Sequence, residues 1–428
     1  MIVSQSKEFP RQACTRIGTR FCDEDILPKK LCVEFATASN FESLFMEKFF
    51  ATCPRGLEQI LAQELSLLGA ETIHPRGGGV QFSGDFFLCY RTNLESRIAS
   101  RVLWQVATTR YRNEDDIYRA TYALPWTQWL GPDRTIKVDV SAIKSPLTSL
   151  NFVTLKIKDA ACDKIRKMSG RRPDIDTRSP DIPIQAHLTD RDFTLYLDTT
   201  GDPLFKRGKR VAAVQAPLRE NLAAGILRLS GWAPGVPLLD PMCGSGTFLI
   251  EAAQIALNIP PGLGRRFAFE KLKNFDCRRW EALLQDTAAG QKRHMPLPIW
   301  GCDRSGSALK SARTNLAAAG LDRIVSLKQA DVLEISAPAK EGIIVTNPPY
   351  GVRLGEQQEL AQFYPKLGDA LKKKFSGWRV YLLSADMRLP KLIHLAASKR
   401  TPLFNGALEC RLFEYKMVEG GMRKKPGA

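Results

Sequence analysis

Two short apolar runs in the second half of the chain each continue into a turn. The residues of these two turns are not ones that an ordinary connecting loop requires. The first run ends at Asp240 and continues into a glycine-rich turn over residues 241–247. The second covers residues 342–346 and continues into Asn347–Tyr350. After Trp232 strand and helix patterns alternate, which is typical of a parallel, doubly wound sheet whose ligands bind where the strands end.

The glycine-rich turn predicts a nucleotide-like ligand held by backbone. Gly244 and Gly246 allow close approach at the end of a buried strand, and a helix follows from Thr247. No Gly-Lys-Ser/Thr follows, which argues against a phosphate-binding loop. An acid at Asp240 would repel a pyrophosphate but suits the cationic methionine moiety of S-adenosylmethionine. The residues that we assign to this ligand are Asp240, Pro241, Cys243, Gly244, Ser245, Gly246 and Thr247.

Two further acids end the next predicted strands. Asp303 follows residues 299–302 and can accept hydrogen bonds from both hydroxyls of a ribose. Asp331 follows residues 325–330 and can accept from an adenine amino group. The alternative for Asp303 is a helix cap, because a helix follows at Ser305. Three strand-end acids in order after a glycine turn favour the cofactor interpretation.

The tetrapeptide Asn347-Pro348-Pro349-Tyr350 predicts a site for an exocyclic amine. Two prolines remove two N–H donors and fix φ, so the carbonyl oxygens remain available as acceptors. The Asn347 side-chain oxygen and the Pro348 carbonyl can each accept one amine hydrogen, and Tyr350 can stack on a flipped base. The alternative is a Pro-Pro turn that ends a strand, which explains neither the Asn nor the Tyr.

The charge of the chain favours a polyanionic partner. The 428 residues carry a formal net charge of +17, and the alternative is a merely solvated basic surface. Ten cysteines and four histidines show no spacing typical of a metal site, so we predict no metal. No apolar run is long enough to cross a bilayer, and we expect a cytoplasmic protein with no membrane partner. The residues that we assign to a nucleic-acid partner are Lys206, Arg207, Lys209 and Arg210.

An insertion after the helix predicted from Thr247 combines basic and aromatic residues. Its aromatic residues can stack on exposed bases or pack into a small satellite core, and the sequence leaves both open. These residues are Phe267, Phe269, Phe275 and Trp280.

Taken together, these motifs resemble the THUMP-containing class I RNA methyltransferases, and most closely the RlmL-type large-subunit ribosomal RNA guanine-N2 methyltransferases. The resemblance covers nearly everything after residue 45, although Asn-Pro-Pro-Tyr is shared with adenine-N6, cytosine-N4 and glutamine methyltransferases. One departure is Phe205, which stands where the linker motif of the family has His. The segments that carry the resemblance are Cys53–Glu58, Leu204–Arg210, Ala216–Ala224, Leu239–Thr247 and Asn347–Leu354.

The resemblance implies an α/β fold, with a Rossmann-like domain built on a seven-stranded, doubly wound sheet that ends in an antiparallel hairpin. It also implies S-adenosylmethionine as the methyl donor. In some bacteria the RlmL-type unit is fused to a second methyltransferase domain, and this chain ends too soon for one, so we expect a single activity. The implied segments are an extension (1–45), a ferredoxin-like unit (46–100), a THUMP RNA-binding domain (101–200), a linker (201–216), a methyltransferase domain (217–420) and a basic tail (421–428).

The expected activity is methylation of guanine N2 in 23S ribosomal RNA or in an assembly intermediate of the large subunit. Three alternatives stay open at this point. They are a tRNA guanine-N2 methyltransferase, an adenine-N6 methyltransferase and a noncatalytic RNA-binding assembly factor, although the cofactor residues that such a factor would lack are intact here.

Overall fold

The computed structural model describes residues 46–207, 218–292, 295–349 and 354–418. The predicted extension over residues 1–45 and the basic tail lie outside these ranges, as do Lys209, Arg210 and Tyr350. The described chain forms two seven-stranded sheets, one from each half of the sequence.

The first half, up to Asp198, is an α+β arrangement around a mixed sheet. Its strands are β1 (Glu47–Thr52), β2 (Glu71–Arg76), β3 (Gly79–Gly84), β4 (Arg101–Arg110), β5 (Ile136–Ala142), β6 (Ile182–Leu188) and β7 (Asp192–Asp198). Its helices are α1 (Glu58–Leu67), α2 (Phe86–Glu95), α3 (Glu114–Ala123), α4 (Trp126–Trp129) and α5 (Leu150–Ser169).

The strand β4 joins the two units that the sequence predicts as ferredoxin-like and THUMP. The order of the sheet is β2-β3-β1-β4-β7-β6-β5. On one side β4 pairs with β1, with Leu103 opposite Phe50, and on the other it pairs antiparallel with β7. The strands β6 and β7 form an antiparallel hairpin, with Leu188 opposite Phe193. Because one strand serves both units, they share a continuous sheet.

The second half is the predicted doubly wound sheet, with the order β10-β9-β8-β11-β12-β14-β13. The five strands from β10 to β12 pair in parallel, and β14 runs antiparallel between β12 and β13. Its strands are β8 (Leu238–Asp240), β9 (Ile299–Asp303), β10 (Ser326–Gln329), β11 (Gly342–Thr346), β12 (Trp378–Ser384), β13 (Lys399–Asn405) and β14 (Leu408–Lys416). Its helices are α6 (Glu220–Leu229), α7 (Thr247–Ala256), α8 (Cys277–Ala289), α9 (Gly306–Ala318), α10 (Leu354–Lys374) and α11 (Leu389–Leu392).

Two hydrophobic cores cover the two faces of this second sheet. One face packs against α6, α7 and α9 in a core that continues into the first sheet. The other face packs against α10, where Tyr364, Leu367 and Leu371 are buried with Trp378 of β12. Burial of such side chains stabilises the fold by about 2 kcal/mol each. The strand order reverses between β8 and β11, where folds of this kind bind their ligands.

The aromatic residues of the insertion form a satellite core rather than an exposed stacking surface. Phe267, Phe269 and Trp280 are buried, and the rings of Phe269 and Tyr90 of α2 stack with their centroids 4.6 Å apart. The Tyr90 hydroxyl also accepts a hydrogen bond from the backbone N–H of Asp276 at 2.9 Å. Of the two interpretations that the sequence left open, the structure supports packing, and the insertion joins the two halves of the protein.

Candidate functional site

The ends of three neighbouring strands bring the predicted site together. Leu239 of β8 pairs with Ile344 of β11, and Asp240 pairs with Gly301 of β9. Because the strands are parallel, the chain leaves all three at the same edge of the sheet. The glycine-rich turn, Asp303 and Asn347 therefore lie at one edge, as the motif order predicts.

The glycine-rich turn has a backbone conformation that residues other than glycine rarely adopt. Gly244 has φ +54° and Gly246 has φ +82°, both in the left-handed region. At Gly244 a Cβ atom would meet no atom within 4 Å, so this side of the turn faces open space. At Gly246 it would lie 3.4 Å from the Cβ of Ala312 on α9. The first glycine leaves room beside the turn, and the second lets the end of the turn approach Ala312 of α9 closely.

The carboxylate of Asp303 holds the turn from the neighbouring strand. Oδ2 accepts a hydrogen bond from the backbone N–H of Gly244 at 2.9 Å, and Oδ1 accepts one from the N–H of Ser305 at 2.9 Å. The cap of α9 is Ser305, whose Oγ accepts from the N–H of Ala308 at 3.4 Å. The structure thus assigns the cap to Ser305, and each oxygen of Asp303 retains capacity for one further hydrogen.

Asp240 is buried at the end of β8. Its Oδ1 accepts a hydrogen bond from the N–H of Met242 at 3.2 Å. Burial raises the pKa of this carboxyl from 3.8 to about 7, while the Thr346 hydroxyl and the Met242 N–H oppose the shift. The negative charge of Asp303 acts in the same direction as burial. A cation placed near Asp240 would stabilise its ionised form.

Two side chains anchor the turn to the core. Asn315 of α9 is fully buried, and its Nδ2 donates to the carbonyl of Ser245 at 3.1 Å. We did not predict this contact, although a buried amide on the apolar face of a helix needs partners and is a usable signal. Cys243 is buried, burial raises the pKa of its thiol, and its N–H donates to the carbonyl of Cys302 at 2.9 Å. The backbone of the turn therefore faces the site, and the thiol packs inside.

The remaining residues assigned to the cofactor occupy the same edge. Pro241 and Thr247 are buried at the two ends of the turn, and Thr247 is the first residue of α7. Asp331 is half-buried one residue beyond Ala330, whose N–H donates to the carbonyl of Asp303 at 3.2 Å. Oδ1 of Asp331 accepts from the N–H of Leu333 at 2.9 Å. The three strand-end acids thus follow three adjacent strands, β8, β9 and β10.

The acceptor segment leaves β11 directly beside these acids. Asn347 is half-buried, Pro348 is buried and Pro349 is exposed. The carbonyl of Pro349 accepts a hydrogen bond from the hydroxyl of Tyr364 on α10 at 3.0 Å. Tyr364 is a residue that the sequence analysis missed, because nothing in the motif specifies a partner from the following helix.

The structure describes two of the four residues that we assign to RNA binding, Lys206 and Arg207, and these two differ in exposure. The side chain of Lys206 is 62% exposed. The guanidinium of Arg207 is buried, with Nε 2.8 Å from Oε1 of Glu251 and Nη2 2.9 Å from Oε2. Nη2 also donates to the carbonyl of Arg97 at 3.0 Å. Arg207 is therefore a structural link between the linker and α7, and its charge is not presented to a partner in this structure.

Comparisons with known proteins agree with this arrangement. The chain matches the family models described as the RlmL ferredoxin-like domain over residues 48–103, the THUMP domain over 111–198 and the RMKL-like methyltransferase domain over 207–414. A "Putative RNA methyltransferase" of Synechocystis is 40% identical over 86% of this chain and 96% of that protein. The chain belongs to the RMKL-like methyltransferase family. The predicted resemblance and fold class are thereby confirmed.

Two further relatives extend the comparison. The ribosomal RNA large subunit methyltransferase K/L of Aeromonas hydrophila is 40% identical over 87% of this chain, and the chain spans about half (55%) of that protein. A solved structure described as "a putative methyltransferase complexed with SAH" has a TM-score of 0.80 and 30% identity over 89% of this chain and 99% of that one. The fold of both halves is thus shared with that putative methyltransferase.

The described ranges also bear on metal and membrane partners. No group of three or more His, Cys, Asp or Glu side chains is arranged to hold a metal ion. Over the same residues, every helix is too short or too polar to cross a membrane.

Proposed function

We propose that this protein transfers a methyl group from S-adenosylmethionine to the exocyclic N2 of a guanine in 23S ribosomal RNA. The observation that carries the proposal is the joint placement of the Asp303-held glycine turn and the Asn347 segment at one edge of the sheet. The names of the K/L relatives and the THUMP match support a ribosomal RNA substrate. Because this chain spans about half of those relatives, the assignment of their activity to it is part of the proposal.

The residues present fit S-adenosylmethionine. The open space at Gly244 leaves room beside the backbone, and the buried Asp240 suits a cationic group. Asp303 would hold the ribose with the hydrogen-bonding capacity that remains on its oxygens, and Asp331 would accept from the adenine amine. When bound, this cofactor supplies an electrophilic methyl group on a sulfonium.

The acceptor segment would orient the amine. The side-chain oxygen of Asn347 and the carbonyl of Pro348 would each accept one hydrogen of the exocyclic NH2. That contact localises the lone pair of the nitrogen toward the cofactor edge of the sheet. No strong general base is required for attack, because the methylated amine is acidic and releases its proton readily.

RNA binding would depend on the excess of basic over acidic residues in the chain and on the THUMP region. The net charge of +17 favours a polyanion, and Lys206 is an exposed cation between the two halves. An RNA of the ribosome also implies a cytoplasmic location for the protein.

One specific observation favours a second candidate function. A solved structure described as a predicted N6-adenine-specific DNA methylase from Listeria monocytogenes is 30% identical, with a TM-score of 0.80, over 89% of this chain. Adenine N6 is also an exocyclic amine, so the Asn-Pro-Pro segment alone does not separate the two.

The test is methyl transfer by the purified protein from labelled S-adenosylmethionine to 23S rRNA, 16S rRNA, tRNA and DNA taken from a strain that lacks the gene. Nucleoside mass spectrometry then identifies the product. The proposal expects N2-methylguanosine in 23S rRNA. N6-methyladenine in DNA would support the second function, and N2-methylguanosine confined to tRNA would replace the substrate.

A further inference from the structure

The acceptor segment is tied to the helix that follows it by one hydrogen bond. The hydroxyl of Tyr364 donates to the carbonyl of Pro349 at 3.0 Å. Tyr364 is fully buried in the core that covers one face of the sheet, whereas Pro349 is exposed at the edge. The bond therefore connects a rigid core position to the segment that meets the substrate.

The two prolines increase the effect of this hydrogen bond on the backbone conformation. Their rings fix φ at residues 348 and 349 and leave ψ as the main free dihedral of each. A hydrogen bond to the Pro349 carbonyl restricts ψ at that residue, because ψ sets the direction of the C=O. It also engages this oxygen, so the acceptors that we assign to the amine are the Pro348 carbonyl and the Asn347 side chain.

A neighbouring tyrosine in the same core gives a contrast. Tyr415 of β14 is equally buried, yet its hydroxyl has no hydrogen-bond partner among the described residues. Burial raises the pKa of both hydroxyls above the ordinary tyrosine value, so each stays protonated at neutral pH. The two side chains have the same chemistry and burial, and only one reaches the acceptor segment.

We propose that Tyr364 is a positioning residue for methyl transfer, which orients the Pro349 carbonyl so that Asn347 and the Pro348 carbonyl face the substrate amine. This inference rests on the proposed function for its catalytic consequence. The hydrogen bond itself is independent of which base is methylated.

The test compares Tyr364→Phe with the control Tyr415→Phe, since both remove one buried hydroxyl from the same core and keep the ring. We expect kcat for methyl transfer to fall about tenfold in Tyr364→Phe, as for the loss of one hydrogen bond. The KM for RNA and the affinity for S-adenosylmethionine should stay within about twofold. Tyr415→Phe should leave kcat unchanged.

Hydrogen–deuterium exchange gives a readout that does not depend on activity. Peptides containing Thr346 and Asn347 should exchange faster in Tyr364→Phe than in the wild type or in Tyr415→Phe. Equal kcat in the wild type and Tyr364→Phe, or equal losses in both variants, would overturn the proposal. If the wild type methylates no nucleic acid, the proposed function fails, and unchanged exchange in Tyr364→Phe would separately refute the anchoring role.

Discussion

The carboxylate of Asp303 accepts a hydrogen bond from the backbone N–H of Gly244 across 2.9 Å, and so joins the ends of two adjacent strands. Its second oxygen accepts from the N–H of Ser305. The turn after β8 is thereby held in shape by an acid from β9 within the protein itself. Asp303, which is predicted from the sequence to bind the ribose of the cofactor, therefore also stabilises the conformation of the glycine-rich turn.

Replacement of Asp303 by Asn should weaken cofactor binding. Both oxygens of the carboxylate face backbone N–H donors, and an amide can accept only one of them while its NH2 opposes the other. We expect S-adenosylmethionine affinity to fall at least about tenfold and the free energy of unfolding to fall by about 1–3 kcal/mol. Isothermal titration and chemical denaturation measure the two effects.

A matched control for this prediction is Asp322→Asn, which removes an exposed acid in the loop after α9. This substitution should change neither the affinity for S-adenosylmethionine nor the free energy of unfolding. Wild-type cofactor affinity in Asp303→Asn would show that this carboxylate neither shapes the turn nor contacts the ligand.

Cofactor affinity should rise with pH because of Asp240. Burial raises the pKa of this carboxyl to about 7, so below that value it is largely neutral and must lose a proton to face a cation. From about pH 6 to about pH 8 we expect affinity for S-adenosylmethionine to rise by about tenfold and then to level off. Calorimetry in buffers of different ionisation enthalpy should also detect the released proton.

The ligand-free protein should show the opposite dependence. A raised carboxyl pKa means that the fold favours the protonated form, so stability from this group is present below 3.8 and is lost as pH rises through about 7. Asp240→Asn should therefore be more stable than the wild type above pH 7, and the gap should narrow as the pH falls and close near 3.8. A constant gap across this range would exclude titration of Asp240.

Lys206 and Arg207 are neighbours in sequence and should behave differently when replaced. Arg207→Met leaves Glu251 as a buried charge without its closest partner, and should lower the free energy of unfolding by about 3–5 kcal/mol. Lys206→Ala should leave stability within about 0.5 kcal/mol and reduce RNA affinity with a shallower salt dependence.

The double variant Arg207→Met, Glu251→Leu provides the control, because it replaces the buried pair with apolar groups of similar volume. It should recover much of the stability that Arg207→Met loses. If Arg207→Met unfolds at the same denaturant concentration as the wild type, the buried pair does not hold the linker to α7.

The alternation of strands and helices along the second half of the chain and the strand-end acids were predictable from the sequence, because apolar runs, glycine turns and helix periodicity are local signals. The antiparallel hairpin that ends the sheet is an example that the structure reproduces, with its turn at Asn405-Gly406. The edge strand β2 was not predicted, since Glu71–Arg76 is polar and its pairing with β3 carries a register shift.

The parts of the site that sequence could not provide depend on tertiary contacts. The charge of Arg207 suggests a surface residue, and only the fold reveals Glu251 facing it from α7. The contacts of Asn315 with Ser245 and of Tyr364 with Pro349 join residues 70 and 15 positions apart, respectively. No local pattern in the chain encodes either pairing.

We propose that Asn347 presents an exocyclic amine for methylation, and the most direct measurement of this role is the amount of N2-methylguanosine in 23S rRNA. A strain that lacks the gene should be complemented with the wild type or with Asn347→Ala. We predict that the wild type restores one N2-methylguanosine signal and that Asn347→Ala restores about 1% or less at early times, while the purified variant still binds S-adenosylmethionine. Wild-type restoration by Asn347→Ala, or no change in this nucleoside on loss of the gene, would contradict the account.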